Sequence, residues 1–169
     1  MNTPYKQEHV DQLYRLIGEA VWHLQHLENV VASFTTFKVL QAKREKGKRL
    51  KQADVERALG KQKGQTLVPL IGNAKSHKTI PPHLVKRFDV FLSDRNWLIH
   101  NCVTDEFLSL RNKEERQRLF QRVAEVSQQA IALQGEIHGL FEDWFTELGY
   151  DLGESYELAE ELLKNAEQS

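Results

Sequence analysis

Two apolar stripes constrain this chain more than anything else in it. Val10, Leu13, Ile17, Ala20, Leu24, Leu27, Val31 and Phe34 recur at alternating intervals of three and four. Leu119, Val123, Val126, Ala130, Leu133, Ile137, Leu140 and Trp144 repeat the pattern later. Such intervals mark one face of an α-helix and do not fit the two-residue period of a strand. Each run predicts a helix roughly 50 Å long at 1.5 Å per residue. The first is expected from near Tyr5 to about Lys43, with Pro4 suited to its opening turn. The second opens with Asn112, a cap with Glu115 three residues on, and stops at Gly149. A one-faced helix must lay its stripe on a neighbour. The expected fold is therefore all-α, an up-and-down helical bundle with two long antiparallel helices, in a single domain of residues 1–169.

A third stripe lies between them, beginning after Pro81-Pro82: Leu84, Phe88, Phe91, Arg95, Leu98 and Cys102. It predicts a mid-chain helix. The connector 47–82 is the least regular part. Gln52 to Leu59 reads as a short helix ended by Gly60, and Thr66 to Ile71 as one more turn with Pro69 in its opening. Asn73 to Ile80 reads as loop. An acidic helix is expected over about 154–166, with Tyr156, Leu158, Leu162 and Leu163 as a thin apolar edge.

Composition narrows the class. Charged residues make up 28% and hydrophobic residues 40%, as in soluble globular proteins. The start has no apolar run behind a basic end, so no signal peptide is expected, and no apolar stretch is long enough to cross a bilayer. The lone cysteine, Cys102, suits a reducing cytoplasm. The net charge of −1 hides a polarity along the chain. Lys38 to Lys63 carries ten Lys or Arg against Glu45, Asp54 and Glu56, whereas Glu136 to Glu167 carries ten acidic residues against Lys164 alone. One region should seek anions and the other repel them.

Arg95 stands where the third stripe asks for a Leu. A guanidinium there is costly unless carboxylates, carbonyls or a bound anion satisfy it. Asn96 and His100 are four apart and share the neighbouring face of an ideal helix. A fixed cation, an amide and an imidazole can hold a phosphate and move a proton beside it. A structural Arg paired with a buried carboxylate, and a His merely near a helix end, are the plainer reading.

Arg95-Asn96-Trp97-Leu98-Ile99-His100, with Asp94 before it, resembles the R-x4-6-H signature of the HEPN (higher eukaryotes and prokaryotes nucleotide-binding) superfamily. The specific likeness covers residues 94–101; the rest is one of architecture. The resemblance implies a metal-independent endoribonuclease without a cofactor. In it His100 would shuttle the proton as a 2′-hydroxyl attacks the adjacent phosphate, leaving a 2′,3′-cyclic phosphate. Arg95 would stabilise the charge of the transition state, and Asn96 would orient the phosphate or His100. It also implies a homodimer pairing two motifs across a two-fold cleft. The spacing agrees, because residues five apart stand about 140° around an ideal helix. They meet at one spot only if the helix bends or a second copy supplies the other group. Toxin–antitoxin or phage-defence systems are the implied setting, which would add an antitoxin protein to the partners.

Lys43, Arg44, Lys46, Lys48, Arg49 and Lys51 form the best candidate for RNA-backbone contact, although such runs commonly end as solvated helix ends. Interleaved aromatic residues for base stacking are missing there. Glu19, His23 and His26 share a helix face at ligand-like spacing, but no second pair completes a metal site, and none is expected. Glu19, His23 or Gln25 could instead line a dimer cleft facing Arg95. Cys102 diverges from His100 and reads as a small core residue. A non-catalytic HEPN-like module that dimerises and binds a partner or nucleotide is the alternative function, and a metal-dependent hydrolase on Glu19, His23 and His26 a third.

Overall fold

Burial follows the stripes. Every position of the first is buried except half-exposed Ile17, and every position of the second except half-exposed Leu140. The computed structural model describes residues 6–49, 51–62, 64–102 and 107–150. Over these the chain is an all-α helical bundle with two long helices. In order they are α1 (Gln7–Glu45), α2 (Gln52–Gln62), α3 (Leu67–His77), α4 (Pro82–Asn96) and α5 (Lys113–Glu147). A π-helical turn, Trp97–Asn101, continues α4 directly, and a 3-10 turn, Phe107–Arg111, precedes α5. The expected acidic helix over about 154–166 lies outside the described residues.

Helix ends are set by local chemistry. Asn112 caps α5, its side-chain oxygen accepting the Glu114 N–H at 2.9 Å. At the other end Gly149 takes φ 81°. The Tyr150 N–H reaches the Phe145 carbonyl and the Gly149 N–H that of Thr146, which is the Schellman arrangement. α1 ends the same way at Gly47, with Lys48 bonded to Lys43 and Gly47 to Arg44.

The connector is more ordered than its sequence suggests. α2 runs through Gly60, and α3 extends over most of the segment expected as loop. Leu67, Leu70, Ile71 and Ala74 are all buried and form one helical face. Pro69 sits in the first turn, where its missing N–H costs nothing. α3 stops at Lys78, which takes the left-handed conformation (φ 52°) without being a glycine.

The chain divides into two units, Met1–Gln134 and Gly135–Ser169, with the boundary inside α5. In the first, α1 packs against α2 and α3, and α3 against α4. Lys75 of α3 pairs with Asp89 of α4 at 2.6 Å. The buried hydroxyl of Thr35 meets that of Thr79 at 3.3 Å. In the second unit, Phe141 stacks on Phe145 (centroids 5.9 Å apart), and Phe145 meets Trp144 and Tyr150. No helix among the described residues is long and apolar enough to cross a membrane.

Candidate functional site

Arg95 keeps its place on the stripe. Leu84, Phe88, Phe91, Leu98 and Cys102 are buried on either side of it, and its own side chain is only 12% exposed. Its counter-charge comes from α1. Glu28, 18% exposed, places Oε1 3.6 Å from the Arg95 guanidinium. The same oxygen accepts the Leu67 N–H at 2.9 Å. Leu67 opens α3, whose N-cap Thr66 makes no side-chain capping bond. One carboxylate thus caps α3 from another helix and faces a cation on a third.

The guanidinium has two distinct sides. Its Nη2 faces Glu28, while its Nε is buried and without an acceptor. Its Nη1 donates to the Asn96 side-chain oxygen at 3.2 Å, on the exposed side. Asn96 and His100 are both exposed. The His100 ring makes no hydrogen bond to another described residue.

The helix is not straight here. At Trp97–Asn101 the backbone widens to i→i+5 hydrogen bonding, with the Cys102 N–H donating to the Trp97 carbonyl. A widened turn absorbs one extra residue. Trp97, Leu98 and Cys102 are all buried there, and His100 is exposed. The separation of about 140° belongs to an ideal helix, which this segment is not. The angular argument for a second copy loses its force.

Sequence reasoning missed three residues at this place. Glu28 is one; its signal was a carboxylate at the edge of the first stripe, four after Leu24 and three before Val31. Arg118 and Arg122 of α5 are the others, four apart on one helical face. Arg122 lies over the Trp97 ring, 3.7 Å from its centroid, a cation–π contact. The two arginines line a cleft of about 390 Å³ with Trp97, Ser109 and Glu115, and another of about 350 Å³ with Asp94 and Glu125. Both clefts adjoin the motif and mix charges of both signs.

The basic run is placed elsewhere. Lys43, Arg44, Lys46, Lys48, Arg49 and Lys51 are all exposed, at and beyond the C-terminus of α1. There their charge complements the helix dipole. Lys43 lies about 22 Å along α1 from Glu28, at 1.5 Å per residue. Glu19 is exposed, His23 and His26 are half-buried, and His26 meets Trp22 edge-on, centroids 4.8 Å apart. Among the described residues no group of three His, Cys, Asp or Glu side chains could hold a metal ion. Comparison of the chain with family models, with curated proteins and with solved structures finds no match.

The widened turn has a direct test. Deleting exposed Ile99 should let the turn close to α while Leu98 and Cys102, then three apart, stay on the buried face. The protein should remain helical, with unfolding free energy within about 1 kcal/mol of wild type. Truncating buried Leu98 to Ala in the full-length chain should instead destabilise it by about 2–5 kcal/mol. Chemical denaturation followed by circular dichroism checks both.

Proposed function

We propose that the chain is a metal-independent endoribonuclease of the HEPN type. The observation that supports this reading is Arg95 on the apolar stripe, its Nη1 donating to exposed Asn96, with exposed His100 in the widened turn that follows. His100 removes the proton of a ribose 2′-hydroxyl as that oxygen attacks the neighbouring phosphorus. The bond to the 5′-oxygen breaks, and the imidazolium returns the proton to the leaving oxygen. The products are a 2′,3′-cyclic phosphate and a 5′-hydroxyl. Arg95 opposes the charge that grows on the phosphate, and Asn96 orients phosphate or guanidinium. A toxin of a toxin–antitoxin or phage-defence pair is the setting this chemistry fits, with an antitoxin protein as the second partner.

The Glu28 contact favours a second reading, in which Arg95 is structural and the chain is a non-catalytic binding module. Activity separates the two. Wild-type protein incubated with total RNA in EDTA should cleave it. Arg95→Ala and His100→Ala should each lower the rate by on the order of 10²–10⁴-fold. Equal cleavage by wild type and His100→Ala, or loss of activity in EDTA, would sink the ribonuclease mechanism.

We also propose a two-fold homodimer built around the motif segment. Val90 on α4 is 70% exposed and Ile99 in the widened turn 42%, apolar surface that a partner copy would cover. Sedimentation should show a dimer at micromolar concentration, and Val90→Glu should shift it to monomer. A wild-type monomer under those conditions rejects this assembly.

RNA affinity should divide between the basic run and Arg118 with Arg122. Phosphate contacts release counterions, so binding should weaken steeply with salt. Reversing the charge at Lys48, Arg49 and Lys51 should weaken binding and flatten that dependence, with little change in thermal stability because the side chains are exposed. If affinity and salt slope survive that change but fall with Arg118→Ala and Arg122→Ala, the RNA path follows the clefts beside the motif. Filter binding across a salt series distinguishes the two.

A further inference from the structure

We infer that Glu28 is a positioning residue, holding the inner side of Arg95 so that its outer N–H groups are presented as an oxyanion-binding edge. The inference rests on the reading of Arg95 as the phosphate-binding cation. Arg95 stands among buried apolar side chains on α4, and its stem alone does not fix the planar head. Two contacts do. Nη2 faces the Glu28 carboxylate at 3.6 Å, and Nη1 donates to Asn96 at 3.2 Å. Glu28 is itself anchored, since the oxygen that faces Arg95 accepts the Leu67 N–H at 2.9 Å. A carboxylate tethered to the start of α3 is a fixed post, and the guanidinium turns its remaining donors away from it. Of these, Nη1 lies beside exposed Asn96, where an anion can approach, while Nε stays buried. A bound phosphate would then meet a cation already oriented, and orientation fixed in advance need not be supplied at the moment of reaction.

Charge alone predicts the opposite sign, which makes the idea testable. A carboxylate beside the cation competes with an incoming anion, so on Coulomb grounds removing it should tighten phosphate binding. If it positions Arg95, removing it should weaken binding and slow turnover. Glu28→Gln is the informative change, because the amide oxygen can still accept the Leu67 N–H while the charge is gone. Its melting temperature should fall, because buried Arg95 loses its counter-charge, so binding and turnover are compared well below the variant's unfolding transition.

The experiment has two independent arms. In the first, the Arg95 Nε–H resonance is assigned in 15N spectra by its loss in Arg95→Lys, and inorganic phosphate is titrated into full-length wild type and Glu28→Gln. Wild type should respond at Arg95, and Glu28→Gln should bind phosphate several-fold more weakly. In the second, RNA cleavage is compared. Glu28→Gln should lower kcat by about 10- to 100-fold with KM changed much less, as misplacement of a reacting group does. Should Glu28→Gln unfold, Glu28→Asp takes its place; it keeps the charge but withdraws it by one methylene, and an intermediate loss is expected. Phosphate binding as tight as or tighter than wild type in the variant overturns the inference and makes Glu28 a competitor. So does a wild-type Arg95 that ignores phosphate. If wild type cuts no RNA yet the phosphate arm behaves as expected, the ribonuclease reading fails and the positioning role stands.

Discussion

Arg95 has to be buried and cannot be buried alone. Removing a guanidinium from water without a counter-charge costs several kcal/mol, and the Arg95 side chain is only 12% exposed. Glu28 answers that need from α1, and in doing so it joins three helices. Its carboxylate meets the positive end of α3 and the cation on α4 at once. The register of α1 against α3 and α4 is therefore tied to a polar contact as well as to apolar packing. Apolar stripes tolerate sliding by a turn far better than a single acid–base–amide junction does.

The long helices were legible because a sustained alternation of three and four has no competing interpretation. The end at Gly149 was legible as well, since only glycine takes the left-handed turn at low cost, whereas α1 runs past the expected Lys43 to its own glycine turn at Gly47. α3 was misread for the converse reason. Its stop falls at Lys78, an ordinary residue forced to φ 52°, held by the Thr79 N–H to Ala74 and the Lys78 N–H to Lys75. No local signal announces such a stop. Pro69 was expected in an opening turn and sits in one, but the helix runs on past Ile71 because Leu67, Leu70, Ile71 and Ala74 are buried together. Tertiary burial won over local propensity.

At the candidate site the sequence located the cation but not its setting. Arg95 interrupting an apolar stripe is a one-dimensional signal. Glu28 is far away in the chain, and only the packing of α1 reveals it. The widened turn was invisible for another reason. A helix with one residue too many can loop it out, end, or spread it over an i→i+5 turn, and the intervals do not choose. Here Trp97, Leu98 and Cys102 are all buried, which an ideal α-helix would not allow on one narrow stripe. The spread turn satisfies the three of them and leaves His100 exposed.

The spatial division of charge has a further consequence. Lys43 lies about 22 Å from Glu28 along a rigid helix, well beyond the Debye length of about 8 Å at physiological salt. The field of the basic run is therefore largely screened at Arg95 and His100, and it cannot tune their chemistry from where it stands. It can act on turnover only by holding a ligand that reaches both places. For a nucleic acid duplex that distance is about six or seven base steps at 3.4 Å each. A ligand too short to span it would meet only the Arg95 junction and the two arginines of the neighbouring clefts. Dependence of turnover on substrate length is thus the physical signature that would unite the two charged regions into one binding surface, and a flat length dependence would leave the basic run as the solvated end of α1.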